Sequence, residues 1–160
     1  MRILFVCLGN ICRSPTAEAV MRRLVCDAGL EDRIEVDSAG TGDWHAGDPP
    51  DGRAATAAAR RGVTLEGAAR QIRPDDFEEF DLVIALDREN LRGLLAVAPD
   101  EAASEKIRLL REFDPASAGA PDLDVPDPYY GGDRGFETVL DMVEAACRGL
   151  LDELRAAGRV

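Results

Sequence analysis

The first fifteen residues constrain the rest of the chain. Ile3-Leu4-Phe5-Val6 is a short apolar run of the kind that forms a buried strand. Cys7-Leu8-Gly9-Asn10-Ile11-Cys12-Arg13-Ser14-Pro15 follows at once. Gly9 and Asn10 are residue types that tolerate the positive backbone angles of a tight cradle. Ser14-Pro15-Thr16-Ala17-Glu18 reads as a helix start, with Ser14 as cap, Pro15 at the first helical position and Glu18 in the first turn. Strand, loop and helix N-terminus together aim backbone N–H groups and the positive end of a helix dipole at one point. Such a point suits an oxyanion.

The side chains at that point have matching chemistry. A helix N-terminus and a neighbouring cation favour the thiolate form of a cysteine, the form that attacks, so Cys7 is the candidate nucleophile. Arg13 offers a planar fork of donors that matches two phosphate oxygens. The Ser14 hydroxyl can donate to the sulfur or assist it as a leaving group. The amides of Leu8, Gly9, Asn10, Ile11, Cys12 and Arg13 can form an anion nest around the remaining oxygens. This set leaves no task for a metal or an organic cofactor, and neither is expected.

A reaction that cleaves a phosphate ester with a thiolate needs an acid for the departing oxygen. Asp122, Asp124 and Asp127 lie in the stretch from Asp114 to Gly135, which is broken by four prolines. Asp127 sits between Pro126 and Pro128, whose fixed backbone angles stiffen the loop. Asp127 is therefore the candidate acid. Leu8, Ile11, Trp44, Tyr129 and Tyr130 could line an apolar slot deep enough for a phenyl ring.

The string from Cys7 to Ser14, together with Asp127-Pro128-Tyr129-Tyr130-Gly131 near the other end, resembles the two motifs of the low-molecular-weight protein tyrosine phosphatases. The resemblance runs nearly end to end, through Asp37-Ser38-Ala39, Pro49-Pro50-Asp51 and Phe136-Glu137. It implies hydrolysis of phosphotyrosine through a phosphocysteine, with Asp127 as general acid. It also implies that Asn10 and Ser38 hold the loop in shape, and that the loop bearing Trp44 tunes specificity. Family members acting on phosphoarginine carry threonine where this chain has Ile11, which favours the tyrosine branch. Many members have a histidine where this chain has Gly67, so the support of Asn10 is expected to be weaker here. Cys12 could pair with Cys7 in a disulfide that shelters the nucleophile, or could simply be a packed thiol.

Along the chain, helices are expected from about Pro15 to Cys26, over Arg53 to Arg61, over Pro74 to Phe80, from Asp87 to about Val97, and from about Phe136 to Ala156. Further strands are expected over Ile34–Ala39, Leu82–Leu86 and Ile107–Leu110. This alternation implies an α/β sandwich with a parallel sheet covered on both faces and its site beyond the strand C-termini. The strand order 2-1-3-4 comes from the resemblance. One domain over residues 1–160 is expected, since no linker or repeat divides the chain.

Four cysteines at irregular spacing and the single His45 do not form a structural zinc pattern and suit reduced thiols in a cytoplasm. His45 is read as an exposed loop residue, and Cys26 and Cys147 as core. The acidic run Asp75-Asp76-Phe77-Glu78-Glu79 is read as a solvated face. No signal peptide and no membrane-length apolar run is visible. A net charge of −12 argues against nucleic-acid partners. Phosphotyrosine proteins are the expected substrates and inorganic phosphate the product.

Three rival functions use a similar loop. A thiol-dependent arsenate reductase needs further cysteines to carry off oxidising equivalents, and none lies between Cys26 and Cys147. A phosphoryl carrier of a sugar-transport system must keep its phosphocysteine, so Arg13 and Asp127 would have no work there. A catalytically idle phosphate sensor is the third.

Overall fold

Four parallel strands form one sheet in the order β2-β1-β3-β4, with β1 at Arg2–Cys7, β2 at Glu35–Gly40, β3 at Leu82–Ala85 and β4 at Ile107–Leu109. The computed structural model describes residues 1–129 and 132–160. The helices are α1 at Arg13–Asp27, α2 at Gly52–Ala59, α3 at Asp76–Glu79, α4 at Arg88–Val97, α5 at Glu101–Ser104 and α6 at Asp133–Ala156, with short 3-10 turns at Leu110–Phe113 and Pro115–Ser117.

The apolar run at the start becomes the central strand because both of its faces are covered. Ile3 and Phe5 point into a core shared with α1, α2 and α6, including Val20, Met21, Val139 and Val143. Leu4 and Val6 point the other way, onto Phe77, Phe80 and Leu94 from the α3–α5 side. Alternate residues of a strand serve opposite faces, so four successive apolar residues are what a doubly covered strand requires. All four are fully buried, each worth on the order of 1.5–3 kcal/mol relative to exposure.

The sheet carries Cys7 to its C-terminal edge, where it stands opposite Gly40 in β2. Gly40 is needed there for space. A β-carbon on it would lie 2.7 Å from the Leu8 carbonyl oxygen and 3.2 Å from Cβ of Asn10.

Several boundaries differ from expectation for physical reasons. The first helix begins at Arg13, not Pro15, with Cys12 as its N-cap residue and no side-chain cap. Ser14 therefore lies inside the first turn and does not cap. Pro15 stands third in the helix, where its missing N–H is still harmless. Glu18 is one turn further in and is buried. The second helix is capped by Asp51, whose carboxylate accepts from the Arg53 and Ala54 amides, so it starts earlier, at Gly52. The last helix starts at Asp133, before the expected Phe136. Helix α5, capped by Asp100, has no counterpart in the sequence reading.

Two surface expectations are corrected as well. Asp76 is fully buried, not part of a solvated face; Arg70 reaches both of its carboxylate oxygens at 3.1 Å. Cys26 is exposed, because it falls on the outer side of α1, whereas Cys147 is fully buried in the core.

Candidate active site

Between Cys7 and Arg13 the backbone forms a cup. The Cys7 carbonyl accepts from Thr41 N at 2.9 Å, Leu8 from Gly42 N at 2.9 Å, Ile11 from Asp51 N at 2.8 Å and Cys12 from Thr16 N at 3.2 Å. A trans peptide sets its C=O and the following N–H in opposite directions. Carbonyls tied outward therefore turn the amides of Leu8, Gly9, Cys12 and Arg13 inward, toward the space above Cys7. The turn is made by Asn10 at φ 56°, the one non-glycine residue with positive φ among those described. Gly9 does not share that conformation.

Asn10 is held by its whole side-chain amide. Its Oδ1 accepts from the Arg70 amide at 3.0 Å, and its Nδ2 donates to Ser14 Oγ at 2.8 Å and to Ser38 Oγ at 3.0 Å. Asn10 Oδ1 is thus held by the Arg70 backbone N–H in a chain where Gly67 has no side chain to reach it. Ser14 Oγ lies 3.0 Å from Cys7 Sγ, a contact in which the serine proton can face the sulfur.

Arg13 is almost wholly buried, and its guanidinium spans the cleft. Nη1 donates to Asp87 Oδ2 at 2.6 Å and to the Val125 carbonyl at 3.0 Å, while Nη2 stands 3.7 Å from Asp127 Oδ2. Burial works against its charge, but the interactions with Cys7, Asp87 and Asp127 outweigh burial and raise its pKa. Asp87 does double duty, since its Oδ1 caps α4 at the Asn90 amide at 2.7 Å. The sequence places Asp87 at a helix start, and this its position could show; its contact with Arg13, 74 residues away, leaves no local trace.

A pocket of about 390 Å³ opens above Cys7, with Leu8, Ile11, Trp44 and Tyr129 on its walls and Asp127 at its side. Trp44 is both a wall and a largely exposed side chain, at 70%. Tyr130 lies outside the described residues. His45, which the sequence assigns to an exposed loop, lines the pocket; its Nδ1 is 3.2 Å from Asp48 Oδ2 and its ring packs beside Gly9 and Tyr129. Asp127 Oδ1 accepts from the Tyr129 amide at 3.0 Å, which leaves Oδ2 toward Arg13 and the pocket.

Cys7 and Cys12 are both free thiols and both line the pocket. Burial, with Asp51, Cys7 and Asp127 adding to it, pushes the Cys12 thiol up to about 12. Cys12 therefore stays protonated at neutral pH. Among the described residues, no group of three or more His, Cys, Asp and Glu side chains is arranged to hold a metal.

A buried thiol at a strand end, under an inward-turned amide ring and beside an arginine, defines a cysteine-dependent phosphohydrolase site. The description "Low molecular weight phosphotyrosine protein phosphatase" matches residues 2–160, and the chain belongs to that family. It is 56% identical to a low molecular weight protein-tyrosine-phosphatase of Streptomyces coelicolor, over 96% of this chain and 93% of the relative. It is 43% identical to the low molecular weight phosphotyrosine protein phosphatase of Homo sapiens, over 94% of each chain. Among solved structures, a protein tyrosine phosphatase from Entamoeba histolytica with Hepes in its active site superposes with a TM-score of 0.92 at 39% identity, covering 100% of this chain and 99% of that one.

Proposed function

We propose that the protein hydrolyses phosphotyrosine in proteins, and small aryl phosphates, through a phosphocysteine on Cys7, with the whole of residues 1–160 acting as one phosphatase domain. The observation that carries the reading is the Ser14 Oγ to Cys7 Sγ contact of 3.0 Å beneath a pocket that Arg13 and Asp127 enter from the side.

The Cys7 thiolate attacks phosphorus in line, and the S–P bond forms as the P–O bond to the aryl group breaks. Asp127 gives its proton to the departing phenolate. Arg13 and the inward amides hold the equatorial oxygens as negative charge redistributes, which is the largest electrostatic contribution such a site makes. Asp127, now ionised, takes a proton from a water that attacks the phosphocysteine. Inorganic phosphate leaves, and the Ser14 hydroxyl stabilises the returning thiolate. Cys12, held protonated, does not compete as a nucleophile and is the candidate partner for a reversible disulfide with Cys7.

The volume of the pocket and its walls of Leu8, Ile11, Trp44 and Tyr129 support an aryl substrate. Ile11 supports the tyrosine over the phosphoarginine branch. The net charge of −12 supports protein and peptide substrates over nucleic acid. Free thiols suit a reducing, cytoplasmic setting, and no helix among the described residues is long and apolar enough to cross a membrane.

The test is release of inorganic phosphate from p-nitrophenyl phosphate in the presence of a chelator, followed by phosphotyrosine, phosphoserine and phosphoarginine peptides. Cys7→Ser should bind phosphate and lose turnover by on the order of 10⁴-fold or more, the scale for loss of a nucleophile. Residual turnover within tenfold of the parent would overthrow the assignment.

A further inference from the structure

Two glycines at the pocket each make room for one ring of the pair Trp44-His45. At Gly42 a β-carbon would overlap Cζ3 and Cε3 of Trp44 and lie 2.7 Å from Cη2. The benzo edge of the indole thus occupies the space where any other residue would carry its side chain. At Gly9 a β-carbon would lie 3.1 Å from Cδ2 of His45. Burial cannot be what holds the indole against the pocket, since Trp44 is 70% exposed. A side chain so exposed ordinarily keeps its choice of rotamers, and a wall made of it would have no fixed place. The seat on Gly42 supplies what burial does not.

Gly42 is itself fixed to the phosphate loop. Its N–H donates to the Leu8 carbonyl at 2.9 Å, and the Thr41 N–H beside it donates to the Cys7 carbonyl at 2.9 Å. Gln71 Nε2 holds the Thr41 carbonyl at 3.1 Å. On the other side of Trp44, the Ala46 N–H closes a turn on the Asp43 carbonyl at 3.1 Å, and the His45 ring lies against Gly9 with Nδ1 3.2 Å from Asp48 Oδ2. The Trp44 backbone is therefore placed from both sides relative to Cys7, and only side-chain torsions remain to decide where the indole lies. Gly42 is not among the glycines with positive φ, so its backbone would accept an alanine. It is the ring that requires a glycine there.

We infer that Gly42 is a specificity-determining positioning residue: by having no side chain it seats the Trp44 indole as a fixed wall of the pocket, ready for the ring of an aryl phosphate. The inference deepens the phosphatase reading above and rests on it. A methyl group at Gly42 cannot share space with the benzo edge. The clash falls on the end of a side chain, so the indole swings away while the backbone stays. The change is confined to the rim. Inorganic phosphate has no ring to lay against the indole, is held by the loop amides and Arg13, and does not sense the loss.

The experiment compares the parent, Gly42→Ala, Trp44→Ala and the double variant. The substrate is p-nitrophenyl phosphate, the inhibitors are inorganic phosphate and phenylphosphonate, and tryptophan emission is a second readout. Trp44 is the only tryptophan in the chain, so the emission reports this indole alone. Gly42→Ala should raise KM and the inhibition constant of phenylphosphonate about fivefold, the scale of one aromatic pair, with kcat and phosphate inhibition within about twofold of the parent. Saturating phenylphosphonate should change the emission of the parent, and change that of Gly42→Ala less than half as much. In the Trp44→Ala background, Gly42→Ala should cost less than about twofold further in KM, because the seat is already empty. The inference is overturned if Gly42→Ala keeps the KM and the emission response of the parent. It is equally overturned if KM, kcat and phosphate inhibition worsen together, which would make Gly42 a support of the loop through Leu8, or if the full cost persists in the Trp44→Ala background. Parent turnover that Cys7→Ser abolishes tests the phosphatase reading separately, so an ineffective Gly42→Ala would sink this inference alone.

Discussion

The two loops that meet across the pocket are built by opposite means. The loop from Cys7 to Arg13 is held by its own backbone: four carbonyls are tied to neighbouring amides, and the Asn10 side chain makes three hydrogen bonds. The loop that carries Asp127 is held mainly by side chains from elsewhere. Val125 is pinned by Leu86 O at 2.8 Å through its amide and by Arg13 at 3.0 Å through its carbonyl. Arg111 holds the Asp124 carbonyl at 2.8 Å, and Arg53 holds that of Tyr129 at 2.9 Å. The nucleophile is fixed by the fold, whereas the acid is hung from arginines. Arg13 is the only one of these that touches both loops, so it is a strut as well as a phosphate ligand.

That contrast can be broken in four places, in descending order of effect. Arg13→Lys keeps the charge but loses the fork and the Val125 contact, and should lower kcat/KM by about 10³-fold; a loss under tenfold would show that charge alone suffices. Asp127→Asn should cost about 10²-fold on phenyl phosphate and far less on p-nitrophenyl phosphate, whose phenolate needs no proton. Equal losses across leaving groups, read from a Brønsted series, would remove Asp127 from the acid role. Asp87→Asn retains an acceptor for the Asn90 amide while removing the anion that steadies Arg13. It should lower kcat about tenfold, with inorganic phosphate inhibiting no more weakly than before; unchanged kcat would mean that Val125 alone holds the strut.

The smallest effect concerns Cys12 and its pH dependence. Its folded pKa, about 12, stands above its ordinary value of 9.0, so the native state keeps a proton that the unfolded chain releases as pH rises through 9. Stability should be flat below that pH and fall above it, by about 1 kcal/mol at pH 10 from this thiol. Denaturation midpoints at pH 8 and pH 10 measure the fall, and Cys12→Ser should reduce it. A fall of the same size in that variant would assign it to other groups.

Much of the first loop was legible because its information is local. An apolar run, a cysteine, a residue able to adopt positive φ and a helix start within fifteen residues leave few folds open. Asp127 was legible for a related reason, since its two prolines mark a stiff loop. The layers and strand order agree with what alternation and family resemblance implied. What the sequence did not show is what acts at long range. Asp87 reads as a helix cap and is one, but its second oxygen answers to a residue 74 positions away. Asp76 looks like surface because charge runs usually are, and it is buried only because Arg70 and the Arg73 amide happen to converge on it. His45 looked like loop decoration until the fold laid it beside Gly9.

The outward-tied carbonyls have a consequence for what the pocket admits. A cup whose shape is complete before anything enters it measures geometry and charge and is blind to the central atom. Sulfate, vanadate and arsenate should seat there much as phosphate does, and discrimination falls to the chemistry of the bond that must break. Selection among esters is then made at the rim, by Trp44 and Tyr129, while the floor accepts any tetrahedral anion that reaches it.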